Sequence, residues 1–375
     1  MAKEHPELRW GIIATGMIAS WFVTDLSIPR TDARAKHTVQ AIGSSNLSKA
    51  KKFAQEFLPS SAETISCYGS YEEVYNDPNV DIIYIATPHA YHKQNCLDAI
   101  RAGKNVLCEK PFAVNAREAK AVIDAARNKG VYVMEGMWTR FVPLVRKLRE
   151  LLYDQKVIGD INRTFADFGL DMPIKDLPAT SRLRDVNLGA GSLLDIGIYS
   201  LTWGLLTLED PGAKVELRIQ ASQTLEDGID VLSSILLHYP KTGRHGILTS
   251  SLLHKTDDVF ARVEGSKGTL LLSGDTASMP NVIALVLKSE NDGKDMGDKR
   301  KEKSGEATTG QKQRFEFSEP TGGRGFYYEA DAIALDIARG QKESDTMPLA
   351  ETLRIMQILD EVRKQGGAKF PQDDE

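Results

Sequence analysis

Gly11-Ile-Ile-Ala-Thr-Gly16-Met-Ile-Ala19 joins a short apolar run to a helical pattern. A dinucleotide-binding turn reads Gly-x-Gly-x-x-Gly/Ala between a first strand and a first helix. Ala14, Gly16 and Ala19 stand at the three positions here. Gly16 is where the backbone must approach a pyrophosphate, and the free N–H groups of the following helix, from Met17 and Ile18 on, would face the phosphates. Ala14 in place of glycine tightens the turn without forbidding it. Glycine turns between strand and helix are common for structural reasons alone, so the weight of this one comes from its place in the first strand–helix unit.

Outward from this turn, residues 9–134 alternate between two periods. Apolar, β-rich runs fall at Arg9–Ala14, Thr38–Gly43, Asp81–Ala86, Asn105–Cys108 and Val131–Met134. Helical patterns lie between them, as at Leu47–Phe57, Ala90–Ala102 and Asn115–Lys129. Alternating strand and helix predicts βαβ units on a parallel sheet. Gly103 and Gly130 stand where helices should stop.

Beyond Met134 the rhythm changes. A helix is expected over Pro143–Tyr153 and a strand over Ile161–Leu170, and Leu188-Gly-Ala-Gly-Ser192 opens a helix running to Leu208. Strands then follow in series at Lys214–Gln223, Ser233–Tyr239, Gly246–Leu253, Ala261–Glu264 and Thr269–Leu272. Strands without intervening helices predict a largely antiparallel sheet. Glu290–Gln313 is polar and charge-rich and is expected to be a mobile surface excursion. Helices near Phe326–Arg339 and Leu349–Gln365 close the chain.

The 375 residues suffice for two domains with separate cores. A net charge of −5 argues against nucleic acid or an anionic membrane as partner. The apolar runs are short against the ~20 residues of a membrane helix. The charged start, Met-Ala-Lys-Glu-His-Pro-Glu, is no signal peptide. Cys67, Cys96 and Cys108 are an odd, sparse set without zinc spacing, which predicts a reducing, cytoplasmic setting. Cys108 reads as a small buried hydrophobe.

The end of the second strand selects the nicotinamide cofactor, because Asp or Glu there holds the ribose hydroxyls of NAD. The sequence has Ser44, Ser45 and Asn46, with Lys49 a turn later and no acid. NADP is therefore favoured over NAD, although no arginine clamp is present.

Three further segments fall at carboxyl ends of strands, where parallel sheets bind ligands. They are Ala86-Thr-Pro-His-Ala-Tyr-His92, Glu109-Lys-Pro111 and Glu135-Gly-Met-Trp-Thr-Arg-Phe141. His89 and His92 lack a third metal ligand nearby, so no metal is expected. With Thr87 and Pro88 they read as a cofactor loop, a structural role for His92 being equally open. Pro111 keeps Lys110 out of a helix. Beside a nicotinamide and a substrate hydroxyl, a lysine can relay a proton; on the tripeptide alone, a solvated surface lysine is the simpler account. Asp195 and Tyr199, four apart on the helix opened by Gly189, share one face, and an aspartate in an apolar helical run needs a partner or a function.

With these residues in view, the chain resembles the Gfo/Idh/MocA family of oxidoreductases. Glu109-Lys110-Pro111 matches the family's EKP motif, and Gly189-Ala-Gly-Ser-Leu-Leu-Asp195-Ile-Gly-Ile-Tyr199 its later glycine-rich helix. The resemblance runs from Arg9 to Asp331. Within the family the chain is similar to the dimeric dihydrodiol dehydrogenases and the fungal NADP-dependent D-xylose 1-dehydrogenases, through Met134-Glu-Gly-Met-Trp-Thr-Arg-Phe141, a Tyr in place of His at 199, and Val263-Glu-Gly-Ser-Lys-Gly-Thr269.

The resemblance implies an α/β architecture. An N-terminal Rossmann domain, residues 1–136, would be followed by a C-terminal α+β substrate-binding and dimerisation domain, residues 137–375, built on a large, mostly antiparallel, open-faced sheet. The terminal helices could pack back on the first domain. Lys110 and Tyr199 would be the catalytic pair, with Tyr199 the proton acceptor and Asp195 helping to bind substrate. Trp138, Arg140 and Phe141 would line the pocket. Glu109 would join the cofactor contacts, and Arg182 or Arg184 would reach cofactor or substrate. The implied reaction moves a hydride between NADP and a carbinol of a sugar, D-xylose or a similar aldose at C1, or of a trans-dihydrodiol. A homodimer through the second sheet is implied as well. The rival readings are a non-catalytic dinucleotide-binding regulator and an NADPH-dependent reductase of dicarbonyls or keto-sugars.

Overall fold

Six parallel strands form the first sheet: β1 (Glu7–Ile13), β2 (Lys36–Gly43), β3 (Ser66–Tyr68), β4 (Ile82–Ile85), β5 (Asn105–Glu109) and β6 (Val133–Gly136). Their order is β3-β2-β1-β4-β5-β6. The computed structural model describes residues 5–213, 215–288, 312–320 and 322–374. Trp10, Ile12, Ile13, Ile82, Ile83, Val106 and Leu107 are fully buried, which is why these strands read as unbroken apolar runs rather than alternating ones. Helices α1 (Met17–Leu26), α2 (Leu47–Phe57), α3 (Tyr71–Tyr75), α4 (His92–Arg101) and α5 (Ala116–Lys129) connect them. The direction of winding reverses between β1 and β4, so their carboxyl ends open a crevice suited to a ligand. Strand β3 and helix α3 are too short to register as periodicity, although Ser70 and Glu73 form a capping box at the start of α3.

The second sheet has eight strands: β7 (Ile161–Gly169), β8 (Arg218–Glu226), β9 (Ile229–Tyr239), β10 (Arg244–Ser251), β11 (Val259–Gly265), β12 (Gly268–Thr276), β13 (Met279–Leu287) and β14 (Lys312–Glu316). The order is β14-β13-β12-β11-β7-β10-β9-β8, antiparallel except where β7 meets β10. Of the polar stretch Glu290–Gln313, residues 290–311 lie outside the described residues, and the last two belong to β14. Helices α6 (Pro143–Arg149) and α7 (Ile198–Leu208) belong to this half, and α7 covers the buried sheet face, with Ser200 on Thr249, Trp203 on Phe260 and Gly204 on Leu248. The run Val186–Leu208 is long and apolar enough to cross a membrane, but 94% of its apolar 18-residue stretch is buried inside the molecule, as befits a core helix. The other sheet face carries half-exposed Leu236, Ile247 and Phe165 in register on neighbouring strands, with exposed Arg262 standing between Phe165 and Leu271 and lying 4.3 Å from the centre of the Phe165 ring.

Helices α8 (Phe326–Ala338) and α9 (Leu349–Gly366) pack back against the first sheet's helices. The buried Asp25 carboxylate of α1 accepts the N–H groups of Gly325 and Phe326 at 2.8 and 2.9 Å, capping α8. Asp331 binds Arg30 at 2.6 Å and His37 at 3.0 Å. The N–H of Ala116, at the start of α5, donates to Asp360 of α9 at 2.9 Å.

Candidate active site

The β1–α1 turn leaves an open cradle. Gly16 caps α1 with extended backbone, and a Cβ there would meet nothing within 4 Å. Met17 at the helix start is 60% exposed and Ile18 is half-buried. Ala14 adopts φ 75°, a left-handed conformation that costs a non-glycine residue of order 1–2 kcal/mol. Its N–H donates to the carbonyl of Gly43, fastening the turn to β2. The Thr15 hydroxyl sits 3.1 Å from that of Ser44, and Lys49 Nζ donates to Ser45 Oγ at 3.1 Å. Asn46 caps α2 by accepting the N–H of Lys49. The cradle is lined by hydroxyls, amide groups and one ammonium, without a carboxylate, and this donor set fits a nicotinamide dinucleotide bearing a 2′-phosphate.

The second group of polar residues gathers beyond β4 and β5. Lys110 Nζ donates to the backbone carbonyl of Asp195 at 2.5 Å and lies 3.6 Å from its Oδ1. The same ammonium is 5.1 Å from the centre of the Tyr199 ring. Arg182 reaches Asp195 Oδ1 at 3.4 Å, and His89 Nε2 lies 3.9 Å from the same oxygen. Burial opposes the charge of Asp195, but Lys110, Arg182 and His89 outweigh it and hold the carboxyl at about 2. Burial pushes the His89 pKa down to about 3, so the ring is neutral, its Nδ1–H directed at the carbonyl of Gly189. Trp138 donates its indole N–H to the Tyr199 oxygen at 2.9 Å.

Local structure explains this convergence. Residues Leu193–Gly197 form a π turn leading into α7, so Asp195 and Tyr199 do not share a regular α-helix. Such wide turns occur at functional sites, and here the Asp195 carbonyl accepts the lysine. Gly189 and Gly191 have φ 77° and 137°. A Cβ on Gly191 would lie 2.2 Å from Asp230 Oδ1. Buried Asp230 accepts from the Ser192 hydroxyl, the Leu193 N–H and the Ser233 hydroxyl at 2.6, 2.7 and 2.8 Å, fixing the start of the turn.

Several expected roles need correction. Tyr199 is not activated by the neighbouring ammonium: burial, and next the charge of Glu109, push its pKa well above the usual phenol value. Glu109 points away from the cradle into the core, where it accepts the Tyr84 hydroxyl at 2.5 Å. His92 is fully buried, with its ring nitrogens 2.8 Å from the carbonyls of Thr87 and Pro111. It ties the loop of Thr87 and Pro88 to the segment after Lys110, leaving no ring atom for a cofactor. Arg140 pairs with Glu351 at 3.2 Å and, with Phe141, lines a separate groove beside Arg146 and Arg354. Both lie in the same 3₁₀ turn, Trp138–Phe141, that carries Trp138 to Tyr199. Arg184 is spent on Asp227 and the carbonyls of Lys175 and Leu177.

Sequence reasoning passed over Thr15, Asp230 and Glu329. Thr15 was legible as the hydroxyl inside the turn. Asp230 and Glu329 carry no signal, since only the folded chain brings them to the site.

Residues 8–137 match the model of the oxidoreductase family with an NAD-binding Rossmann fold, and residues 145–271 match the GFO/IDH/MocA C-terminal domain. The trans-1,2-dihydrobenzene-1,2-diol dehydrogenase of Sus scrofa is 37% identical over 366 residues, covering 98% of this chain and 99% of the relative. The NADP(+)-dependent D-xylose 1-dehydrogenase of Hypocrea jecorina is 34% identical over 401 residues, covering 99% and 95%. A 3-ketoreductase from Actinomadura kijaniata, solved with NADP and TDP-benzene, shares the fold with a TM-score of 0.76 at 22% identity, over 96% of this chain and 98% of its own. The chain belongs to the Gfo/Idh/MocA family of oxidoreductases, its NAD-binding Rossmann domain followed by that family's C-terminal domain.

Proposed function

We propose that the protein is an NADP-dependent dehydrogenase acting on the CH–OH group of a sugar, such as D-xylose or a similar aldose at C1, or of a trans-dihydrodiol. The observation that carries this reading is the convergence of Lys110, Asp195 and Tyr199 in one largely buried cluster. The relatives named for diol and aldose oxidation support the substrate class.

A nicotinamide dinucleotide supplies the hydride chemistry when bound. Gly16, Met17 and Ile18 would hold its pyrophosphate, and Ser44, Ser45, Asn46 and Lys49 its 2′-phosphate. Thr87, Pro88 and His89 would border the nicotinamide. Asp195, ionised by its three cationic or polar neighbours, accepts hydrogen bonds from substrate hydroxyls. Arg182 stands half-exposed beside it. Tyr199 receives a hydrogen bond from Trp138, so its own O–H remains available. A neutral phenol there gives a proton to a carbonyl oxygen in reduction and must regain it, with Lys110 adjacent, in oxidation. That neutral state favours a second reading of the same site, an NADPH-dependent reductase of a dicarbonyl or keto-sugar.

The contiguous apolar residues Leu236, Ile247 and Phe165 on the open sheet face support a homodimer built by apposing two such faces. Three free cysteines are consistent with a reducing compartment. Formation or consumption of reduced cofactor, measured with NADP and NAD over a panel of aldoses, trans-dihydrodiols and dicarbonyls, tests the function. Turnover with NADP and at least one of these classes is expected. Cofactor binding without turnover would leave a non-catalytic binding protein instead.

A further inference from the structure

Two buried carboxyls stand behind the cluster without a part in the reaction just described. Glu329 is fully buried, and neither of its carboxyl oxygens has a hydrogen-bond partner. It lies one turn beyond Phe326 on α8, so the two share a helix face. The Phe326 ring stacks on Trp138 at 4.5 Å and meets Phe22 edge-on at 6.1 Å, and Phe22 stacks on Tyr84 at 3.9 Å. This row of rings reaches Tyr199 through the Trp138 indole at one end and Glu109 through the Tyr84 hydroxyl at the other. Glu329 thus backs the same aromatic wall that holds both the relay tyrosine and Glu109.

Two carboxyls in one apolar compartment resist carrying two charges. Glu109 is the better placed to be ionised, since the Tyr84 hydroxyl, the Lys110 backbone N–H and the Lys110 ammonium all face it. Glu329 has no such donor. The other ionisable groups around the pair are Asp25 from α1, Tyr132 beside β6, and Asp195 and Tyr199 from the π turn and α7.

We propose that Glu109 and Glu329 hold one proton between them, with Glu329 the neutral acid, and that the ionisation of Glu109 opposite Lys110 switches the proton relay on. Glu329 is in this sense a positioning residue that acts through Glu109. The proposal rests on Lys110 and Tyr199 handling the substrate proton as described above. Burial pushes the Glu109 carboxyl up to about 7, against the pull of Tyr84 and Lys110, so the relay engages as pH rises through neutrality.

Infrared spectroscopy of the whole protein without substrate reads the C=O stretch of a buried carboxylic acid. The wild type should show this band at about pH 8, far above the range of an ordinary carboxyl. Glu329→Gln, isosteric with the neutral acid, should lose it. In Glu109→Gln the band should titrate away at lower pH, because the charge that kept the proton on Glu329 is gone. That variant keeps the result readable even where Glu329→Gln fails to fold. Under turnover, wild-type kcat/KM should fall about tenfold per pH unit below neutrality. Glu329→Gln should keep this limb, and Glu109→Gln should lose it. Absence of the buried-acid band at pH 8 in the wild type, or an unchanged limb in Glu109→Gln, overturns the proposal. The infrared result stands apart from any failure to find a substrate.

Discussion

In the proposed reaction, Lys110 is the residue on which most of the chemistry turns. Its ammonium is fixed by the Asp195 carbonyl and carboxylate rather than by solvent. Lys110→Met should lower kcat by ~10²–10⁴-fold, the usual worth of acid–base help, while isothermal titration still shows NADP binding. Near-normal turnover would return the lysine to a structural role. Tyr199→Phe removes only the hydroxyl. Because the phenol pKa is raised by burial and by Glu109, wild-type oxidation should still be climbing near pH ~10, the ordinary tyrosine value, and the variant should lose that rise. A plateau reached near neutrality by both proteins would contradict the assignment. Glu135 illustrates the same physics in stability. Its pKa is pushed up by burial to about 7, and one oxygen accepts the Phe112 N–H at 3.1 Å. A carboxyl whose folded pKa is raised favours the fold below its unfolded value near 4.5 and loses that contribution as pH rises toward 7. Glu135→Gln keeps the acceptor without the charge. Its Tm relative to wild type should therefore increase from acid to neutral pH, by an equivalent of up to roughly 3 kcal/mol. Parallel Tm curves in thermal melts would refute this.

At the scale of elements, the π turn Leu193–Gly197 decides the site, because it sets both the carbonyl that takes Lys110 and the direction of Tyr199. Asp230 holds the start of that turn from strand β9 with two hydrogen bonds, and Ser233 of the same strand fixes its carboxylate with a third. Asp230→Ala leaves the Ser192 hydroxyl and the Leu193 N–H without their acceptor and should cost about 3 kcal/mol in urea denaturation. The same variant should reduce kcat more than it weakens NADP binding, since the cradle at Gly16 lies on other elements. Wild-type kcat in that variant would show that the turn holds itself without Asp230.

For the whole molecule, the two sheets divide the work. The parallel sheet presents a cradle at its switch point, and the second sheet buries one face under α7 while leaving the other half-apolar. Patches of this kind mark interaction surfaces, and Ile247 sits in the middle of the row between Leu236 and Phe165. Ile247→Glu should convert a dimer to a monomer in sedimentation velocity while each chain stays folded. A wild-type protein that sediments as a monomer would remove this face as the interface. The helices α8 and α9 join the halves through Asp25, Asp331 and Asp360.

What the sequence determined by itself is the part governed by local rules. The buried strands of the first sheet announce themselves as apolar runs, α2 spans Leu47–Phe57 as its pattern requires, and Gly130 ends α5 in the left-handed conformation glycine allows. Gly16, Lys110, Asp195 and Tyr199 were legible because motif spacing carries them. Strands β13 and β14 were not, since half-buried strands at a sheet margin show weak alternation. Nor could the sequence tell which way Glu109, Arg140 and His92 point. Each adjoins a recognisable motif, yet its direction depends on partners far along the chain or across a loop: Tyr84 for Glu109, Glu351 for Arg140, the carbonyls of Thr87 and Pro111 for His92. The electrostatics belong to the tertiary structure for the same reason. A lysine beside a tyrosine would lower the phenol's pKa in isolation, but burial and the charge of Glu109 reverse the direction, and burial is a property of the packed molecule alone.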